Sequence, residues 1–477
     1  MKRLPATLSC AVALVMAMTL QSCKSEQRKA GSSDTPVLTI EGGQISGKAG
    51  EAEGISVYMG IPYAAPPVGE LRWKKPQPVE SWEGVRQCTE PGNASLQGGQ
   101  EEGSFYWKEF YQAGNPPMSE DCLYLNVWTP AAGNTEARLP VMFWIHGGGY
   151  VNGYGHEIEF DGTEYAKLGV VLVTINYRLG MCGFLAHPLL NDENGGNGSG
   201  NYGLFDQLEA LKWVKRNISA FGGDPDNVTV FGQSAGAGSV QSLISSPLAE
   251  GYINKAIIQS GGGISGIIKT MPLETALEQG KGMWDNAGIT TLEEMRACSP
   301  DKFSEIMTSY AQSGGKLAGL PFCPVVDGEL LPATTDEIAK SDKVLRIPYM
   351  IGYTSEDIVP DYMHKAAVDW ATLHEQQGRT PVYIYRFSRD LPGEDMPADP
   401  ELGTWGDMSG AFHSSELWYM FGTLSRCWRP MEEHDYELSR QMVTYWTNFA
   451  RTGSPNSDTV PEWKPFTSAE QYIQELK

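Results

Sequence analysis

The strongest constraint on this chain is the segment NVTVFGQSAGAG at 227–238. Its first half is rich in β-branched residues and predicts a strand that reaches Phe231. A Gly-Gln-Ser-Ala-Gly turn follows, and the small residues after it suit a tightly packed helix. On such a turn the serine hydroxyl stands clear of the sheet, while glycines at 232 and 236 avoid clashes with neighbouring elements. Ser234 is therefore a candidate nucleophile.

Apolar strands alternate with helical segments on both sides of this turn. Short strands are predicted within 37–47 and 55–64, and continuous apolar runs within 141–145 and 169–178 are typical of strands covered on both faces. The segment 201–223 has apolar residues at helical spacing and a Gly-Gly stop. Further strands are predicted within 254–261, 348–354 and 381–387. This order predicts an α/β fold, with a mostly parallel sheet and helices on both faces.

The polar, helical stretch from about 264 to 345 lies between two predicted strands. In parallel sheets, reactive groups sit where loops leave the C-terminal ends of the strands. We therefore expect this stretch to form an inserted cap over that edge, within a single domain spanning 36–477.

The N-terminus has the composition of an export signal. Lys2 and Arg3 precede an apolar stretch that is too short to be a confident membrane-spanning helix. The LQSC ending resembles the lipobox of bacterial lipoproteins, so residues 1–22 are predicted to be a signal peptide, Cys23 a lipid anchor and 23–35 a tether. We expect an exported lipoprotein held at the outer membrane or in the periplasm; the alternative is plain secretion with cleavage near Cys23.

Charge and cysteine content narrow the classes of partner. The formal net charge is −22, which argues against nucleic acid as a partner and against attraction to anionic lipids. Membrane contact is therefore expected only through the N-terminal anchor, and the sequence does not fix the oligomeric state. No two of the eight cysteines have the C-x-x-C spacing of a metal site, so no metal is expected. A disulfide can form after export, but the residues do not determine its pairing.

A glycine loop earlier in the chain offers donors for a developing oxyanion. The sequence HGGG at 146–149 follows an apolar strand, and glycine lets backbone N–H groups approach a substrate closely. We expect the N–H groups of Gly148, Gly149 and Ala235 to act together. His146 is interpreted as structural, because it precedes the serine and is tied to this loop.

A serine hydroxyl needs a base, and the base needs an orienting acid. Of the histidines that follow Ser234, three are predicted to lie at the surface, and the fourth, His413, sits in a loop that leads into an aromatic-rich helix. The three surface candidates are His364, His374 and His434. For the acid, the end of the strand PYMIGYTSED offers Glu356 and Asp357, and the residues alone leave that choice open.

Several of these motifs resemble the type-B carboxylesterase family. The segment FGGDPDNVTVFGQSAG at 221–236 is similar to the serine signature of that family, and EDCLYLNVWTP at 120–130 is similar to its second signature. Further similar blocks lie at 60–73, 176–185 and 447–456. The resemblance extends from about Val37 to the C-terminus. It implies an α/β-hydrolase fold, a small-molecule ester as substrate, two-step ester hydrolysis, and no metal or organic cofactor.

The resemblance also assigns roles to individual residues. It implies Ser234 as nucleophile, His413 as base, and Asp357 in preference to Glu356 as acid, because the family acid is the sixth residue of its block and Asp357 is the sixth residue of GYTSED. Gly148, Gly149 and Ala235 match the oxyanion donors.

Other matches concern support for the site and for the fold. Ser260 corresponds to a serine that supports the acid, and Glu356 lies next to that acid. Cys88 and Cys122 correspond to a family disulfide, while Arg72 and Glu120 correspond to a structural ion pair.

The sequence departs from the family at three places. Gln233 replaces the glutamate that cholinesterases carry before the nucleophile, and no tryptophan lies ten residues before Cys122, so a choline site is not expected. The segment between Asp357 and Pro381 is short, which predicts a more open gorge. Feruloyl or acetyl groups on glycans or plant material, or lipids, are alternative substrates, and a non-catalytic binding module is the remaining rival.

Overall fold

The computed structural model describes residues 35–393 and 410–477. The predicted signal peptide, Cys23 and all of the tether except its last residue lie outside these ranges. The described residues form one compact unit. Within the described ranges, none of the helices combines the length and apolar character that crossing a membrane requires.

Strands in the described part of the chain are numbered in chain order. They are β1 (Leu38–Ile40), β2 (Gly43–Ser46), β3 (Lys48–Ala49), β4 (Ser56–Pro62), β5 (Val85–Gln87), β6 (Tyr124–Thr129), β7 (Leu139–Ile145), β8 (Val171–Ile175), β9 (Gly223–Gln233), β10 (Lys255–Gln259), β11 (Met271–Pro272), β12 (Val325–Val326), β13 (Tyr349–Thr354), β14 (Val382–Phe387) and β15 (Gln474–Leu476).

The α-helices of the described residues are numbered in the same way. They are α1 (Phe105–Phe110), α2 (Thr163–Lys167), α3 (Gly180–Phe184), α4 (Pro188–Glu193), α5 (Tyr202–Asn217), α6 (Ala235–Ile244), α7 (Leu273–Asn286), α8 (Leu292–Ala297), α9 (Phe303–Gln312), α10 (Thr335–Lys340), α11 (Pro360–Gln376), α12 (Leu417–Phe421) and α13 (Glu433–Thr452).

A ten-stranded sheet runs through the molecule in the order β15-β14-β13-β10-β9-β7-β8-β6-β4-β3. The first seven strands of this order, from β15 through β8, are parallel to one another. The last three, β6, β4 and β3, each run antiparallel to the strand before them. Strands β1, β2 and β5 form a smaller sheet. The predicted mostly parallel α/β architecture is confirmed.

Helices cover both faces of the large sheet, and the sequence of β7 shows why. Its side chains alternate between two hydrophobic cores, because successive residues of a strand point to opposite faces. Val141, Phe143 and Ile145 join one core, while Met142 and Trp144 join the other. Each face of this strand is therefore apolar, which explains the continuous hydrophobic run in the sequence.

The parallel arrangement brings the candidate site residues to one edge. Strands β7, β9 and β13 all end at the same side of the sheet. The glycine loop follows β7, Ser234 follows β9, and the Glu356–Asp357 pair lies just beyond the end of β13. The stretch expected as a cap lies between β10 and β13 and contains α7 to α10, with β11 and β12 paired in parallel.

Candidate active site

Ser234 occupies a strained turn between β9 and α6. Its backbone has φ 56° and ψ −123°, in the left-handed range that side chains other than glycine rarely adopt. The neighbouring glycines are required by close packing: a Cβ on Gly236 would lie 2.1 Å from the carbonyl oxygen of Ile145, and one on Gly232 would lie 2.6 Å from the carbonyl carbon of Gly236. The turn therefore projects the serine side chain away from the sheet.

His413 and Asp357 form a buried pair behind this serine. His413 Nδ1 lies 2.6 Å from Asp357 Oδ1, and the same carboxylate accepts the backbone N–H groups of Thr354 at 3.1 Å and Ile358 at 2.9 Å. Burial lowers the pKa of His413, but the charge of Asp357, its hydrogen bond to the imidazole and the charge of Glu416 together outweigh burial, so the pKa is raised. For Asp357, burial raises the pKa, but His413 and the hydrogen bonds lower it below its usual value.

Glu356 has a different partner from Asp357. Its side chain is exposed, its backbone N–H donates to the carbonyl of Ala411 at 3.2 Å, and its Oε2 accepts the N–H of Ala411 at 3.1 Å. A parallel β-bridge also joins Glu356 to Phe412. Glu356 thus fixes the loop that carries His413, and of the two carboxylates that the residues left open, Asp357 is the one in contact with the imidazole.

Ser260 lies beside the acid, at the end of β10. It is buried, and its hydroxyl is close enough to help lower the pKa of Asp357, although no hydrogen bond of ordinary geometry joins the two side chains. The preceding carbonyl, that of Gln259, accepts the backbone N–H of Ser234 at 2.8 Å. The end of β10 therefore supports both the nucleophile turn and the acid.

The second ring nitrogen of His413, Nε2, faces Gln233. The distance from this nitrogen to Gln233 Nε2 is 3.1 Å. Because a proton on Nδ1 faces Asp357, the imidazole Nε2 accepts a hydrogen bond from the Gln233 amide. No hydrogen bond joins Ser234 and His413 in the described part of the chain, although both line the same cavity.

The glycine loop after β7 lies against the serine. A Cβ on Gly147 would be 3.2 Å from Ser234 Cβ, so the loop backbone runs directly beside the nucleophile. Gly148 and Gly149 have φ values of 96° and 62°, and a Cβ on Gly148 would lie 2.1 Å from the carbonyl oxygen of Asn152. Only glycine permits this conformation, which leaves the amides close to the cavity.

One cavity of about 450 Å³ contains these groups, a volume typical of a small-molecule site. Its wall includes Ser234, His413 and the glycine loop. The apolar part of the wall consists of Tyr106, Phe110, Tyr111, Val151, Phe160, Met307, Leu320, Pro321 and Leu417. Met307, Leu320 and Pro321 come from the segment between β10 and β13, which therefore covers part of the site.

The other histidines lie outside this arrangement. His364 and His434 are exposed, as expected, but the prediction for His374 is wrong. His374 is buried, and its Nδ1 lies 2.9 Å from the carbonyl of Trp370. It belongs to the buried face of α11, at helical spacing from Trp370, and burial lowers its pKa to about 4. His146 is buried and stacks on Tyr177, which agrees with a structural role.

Cys88 and Cys122, the residues predicted to form a disulfide, are both buried free thiols in the structure. Their surroundings differ. The backbone N–H of Cys88 donates to the carbonyl of Ser46, and Cys88 lies near Tyr58. Cys122 instead lies near Cys182. Burial raises the pKa of both thiols, which keeps them protonated and unreactive.

Arg72 and Glu120 form a two-point ion pair. Arg72 Nε and one terminal nitrogen each lie 2.6 Å from a different carboxylate oxygen of Glu120. The second terminal nitrogen of Arg72 donates to the carbonyls of Arg296 and Cys298 at 2.9 and 2.7 Å. Arg72 thus connects Glu120 to the C-terminal end of α8.

Three carboxyl groups near the site had no part in the sequence interpretation. Glu416, three residues after His413, is fully buried, and burial together with Asp357 raises its pKa to about 7. Glu157 and Glu159 line the cavity itself. The available signal was the pattern GHEIEF, in which two acids follow the glycine loop beside an aromatic residue.

Comparisons with known proteins agree with this geometry. The profile of the carboxylesterase family matches residues 34–361 and 354–477. The chain is 32% identical to a fumonisin B1 esterase from Sphingopyxis macrogoltabida, over 92% of this chain and 86% of the relative. It is also 32% identical to the para-nitrobenzyl esterase of Bacillus subtilis, over 89% and 91% of the two chains. A solved structure of a PNB esterase superposes with a TM-score of 0.78 at 31% identity, over 93% and 96% of the two chains.

Fold and comparisons together define a serine hydrolase with the α/β-hydrolase fold. The chain belongs to the carboxylesterase family, and it is a carboxylic ester hydrolase with small-molecule esters as substrates.

Gln233→Glu is expected to move the acidic limb of the pH profile of kcat/KM upward by about one unit. A carboxylate beside His413 Nε2 would stabilise the imidazolium, and only the neutral imidazole can accept the serine proton, so a higher pH would be needed for activity. The measurement is the pH dependence of para-nitrophenyl acetate hydrolysis. Gln100→Glu, in the wall of the same cavity, is the control and should shift the limb less. If the pH profiles of kcat/KM for Gln233→Glu and the unmodified protein coincided, the contact between Gln233 and His413 would be contradicted.

Proposed function

We propose that Ser234, His413 and Asp357 act as a catalytic triad that hydrolyses carboxylic esters through an acyl-enzyme intermediate. The observation that carries the proposal is the 2.6 Å contact between His413 and Asp357, with His413 and Ser234 in the wall of one cavity. The contact holds the imidazole in the tautomer whose Nε2 can accept a proton, and it stabilises the imidazolium that then forms.

In the first half of the reaction, Ser234 Oγ attacks the ester carbonyl and His413 Nε2 takes the hydroxyl proton. The negative oxygen of the tetrahedral intermediate is stabilised by the N–H groups of Gly148, Gly149 and Ala235. The intermediate collapses, His413 donates its proton to the leaving alcohol, and the acyl group remains on Ser234.

In the second half, His413 takes a proton from water, and the hydroxide attacks the acyl carbonyl. The second tetrahedral intermediate releases the carboxylic acid, and the proton returns to Ser234 Oγ. The water replaces the alcohol, so the enzyme ends in its starting state without metal or organic cofactor.

A fluorophosphonate probe tests the assignment directly. The probe is expected to add covalently to Ser234, and mass spectrometry of the peptide that contains residues 227–238 should locate the adduct. A non-catalytic binding module would give no adduct. Labelling of a different serine, or equal labelling of Ser234→Ala, would overturn the assignment.

The proposal includes export of this esterase and attachment to a membrane through a lipid on Cys23. The LQSC sequence at the end of the apolar segment supports it. Cells expressing the full chain should incorporate radioactive palmitate into the protein, Cys23→Ala should abolish the label, and Cys10→Ala should retain it. Equal incorporation in the Cys23→Ala variant would exclude this residue as the attachment site and favour plain secretion.

A further inference from the structure

Two carboxyl groups, Glu157 and Glu159, lie in the wall of the cavity that contains Ser234 and His413. They follow the glycine loop in sequence, and Phe160 continues the same wall. The reaction proposed above uses neither carboxyl.

Glu157 has protein partners, but Glu159 has none of ordinary geometry. Glu157 Oε1 accepts the hydroxyl of Tyr111 at 3.2 Å and the backbone N–H of Tyr154 at 3.0 Å. Glu159 is 0% exposed, and neither of its carboxyl oxygens has a hydrogen-bond partner among the described residues; its nearest polar groups are its own backbone and the Glu157 carboxyl. A buried carboxyl facing a cavity without a donor is costly, unless a ligand provides one.

The nearby Glu109 is a buried acid that has both an ion-pair partner and hydrogen-bond donors. Its carboxylate is buried but contacts Arg429 Nε at 3.1 Å and the indole N–H groups of Trp418 and Trp428 at 3.2 and 2.8 Å. No ion pair involves Glu157 or Glu159 in the described chain, and no lysine or arginine contributes to the cavity wall. The cation missing from the acidic pair would therefore have to arrive in the cavity.

We propose that Glu157 and Glu159 bind an ammonium group of the substrate, so that the preferred esters carry a primary or secondary amine. This inference rests on the proposed esterase function and adds the class of substrate. Carboxylates bind an ammonium through its N–H groups, with charge-assisted hydrogen bonds. A quaternary ammonium has no N–H, which separates this site from one that recognises choline.

The charge state of the empty pair fits this role. Burial raises the pKa of both carboxyls. The charge of Glu157 raises the pKa of Glu159 further, whereas a hydrogen bond from Glu159 lowers that of Glu157, so the pair shares a proton when the cavity is empty. An incoming ammonium would replace that proton, which leaves to solvent. The other titratable groups facing the pair do not carry positive charge. They are Tyr106, Tyr111, Tyr154 and Tyr177, whose pKa values burial raises, the buried Glu109 held by Arg429, and His156, whose pKa burial lowers to about 4.

Competitive inhibition of para-nitrophenyl butyrate hydrolysis tests the proposal. The probes are n-hexylammonium, hexyltrimethylammonium and 1-hexanol, which share one apolar chain. In the unmodified protein, n-hexylammonium should bind about 10- to 100-fold more tightly than 1-hexanol, with hexyltrimethylammonium between them. Glu159→Gln and Glu157→Gln should remove most of this preference, while the exposed Glu136→Gln should retain it.

Several results would overturn the inference. Equal inhibition by n-hexylammonium and 1-hexanol in the unmodified protein would do so, and this comparison stands even if a glutamine variant fails to fold. Full retention of the preference in folded Glu159→Gln and Glu157→Gln would also exclude the pair. Failure of the esterase proposal would look different, because para-nitrophenyl butyrate would not be hydrolysed through Ser234; ligand-induced shifts in Tm with the same probes would then decide the binding question alone.

Discussion

Ser234→Ala is expected to lower kcat for para-nitrophenyl acetate by a factor of roughly 10⁴ to 10⁶. In the proposed mechanism, alanine removes the atom that forms the acyl-enzyme bond, and neither His413 nor the backbone amides can replace it. A small residual rate should remain, because the oxyanion donors can still stabilise attack by water. The measurement is the steady-state rate of nitrophenolate release by purified protein.

The control for this variant is Ser304→Ala, which changes an exposed serine on α9. It should hydrolyse the ester at the unmodified rate. Ser234→Ala should also retain the Tm of the unmodified protein within a few degrees, because its side chain makes no hydrogen bond in the described structure. Activity that survives in folded Ser234→Ala would show that another group is the nucleophile.

Asp357→Asn should reduce kcat by about 10⁴-fold, the second largest effect. The asparagine amide can donate to His413 Nδ1, which would favour the tautomer with the proton on Nε2. That nitrogen could then no longer accept the serine proton, and the imidazolium would lose its counter-charge. The rate of para-nitrophenyl acetate hydrolysis across pH gives the measurement.

Glu356→Gln is a matched control, since it neutralises the adjacent carboxylate. The glutamine oxygen can still accept the N–H of Ala411, so the loop carrying His413 should stay in place and kcat should fall by less than about tenfold. If Glu356→Gln were the more damaging change, the carboxylate in contact with His413 during catalysis would have to be Glu356.

The sequence predicted the sheet well because the signals for its strands are local. Strands β7 and β8 are continuous apolar runs, as expected for strands covered on both faces, and the strand–turn–helix at Ser234 depends on glycines a few residues away. The resemblance to a family then supplied residues far apart in the chain. The buried position of His374 was also readable, since it lies at helical spacing from Met363 and Trp370 on the buried face of α11.

Features that depend on distant contacts could not be read from the residues. Glu356 and Asp357 are adjacent and chemically alike, and their roles differ because Ala411 pairs with one while His413 meets the other. The contact between Gln233 and His413 joins residues 180 positions apart.

The pairing of Glu356 with Ala411 has a consequence for how the protein acquires activity. It connects the end of β13 to Ala411, 55 positions later in the chain, and such non-local contacts form slowly because a long stretch of chain must first be closed. During refolding from denaturant, far-ultraviolet circular dichroism should therefore recover before ester turnover does. The delay between the two signals would measure how long the imidazole takes to reach the nucleophile in an otherwise assembled molecule.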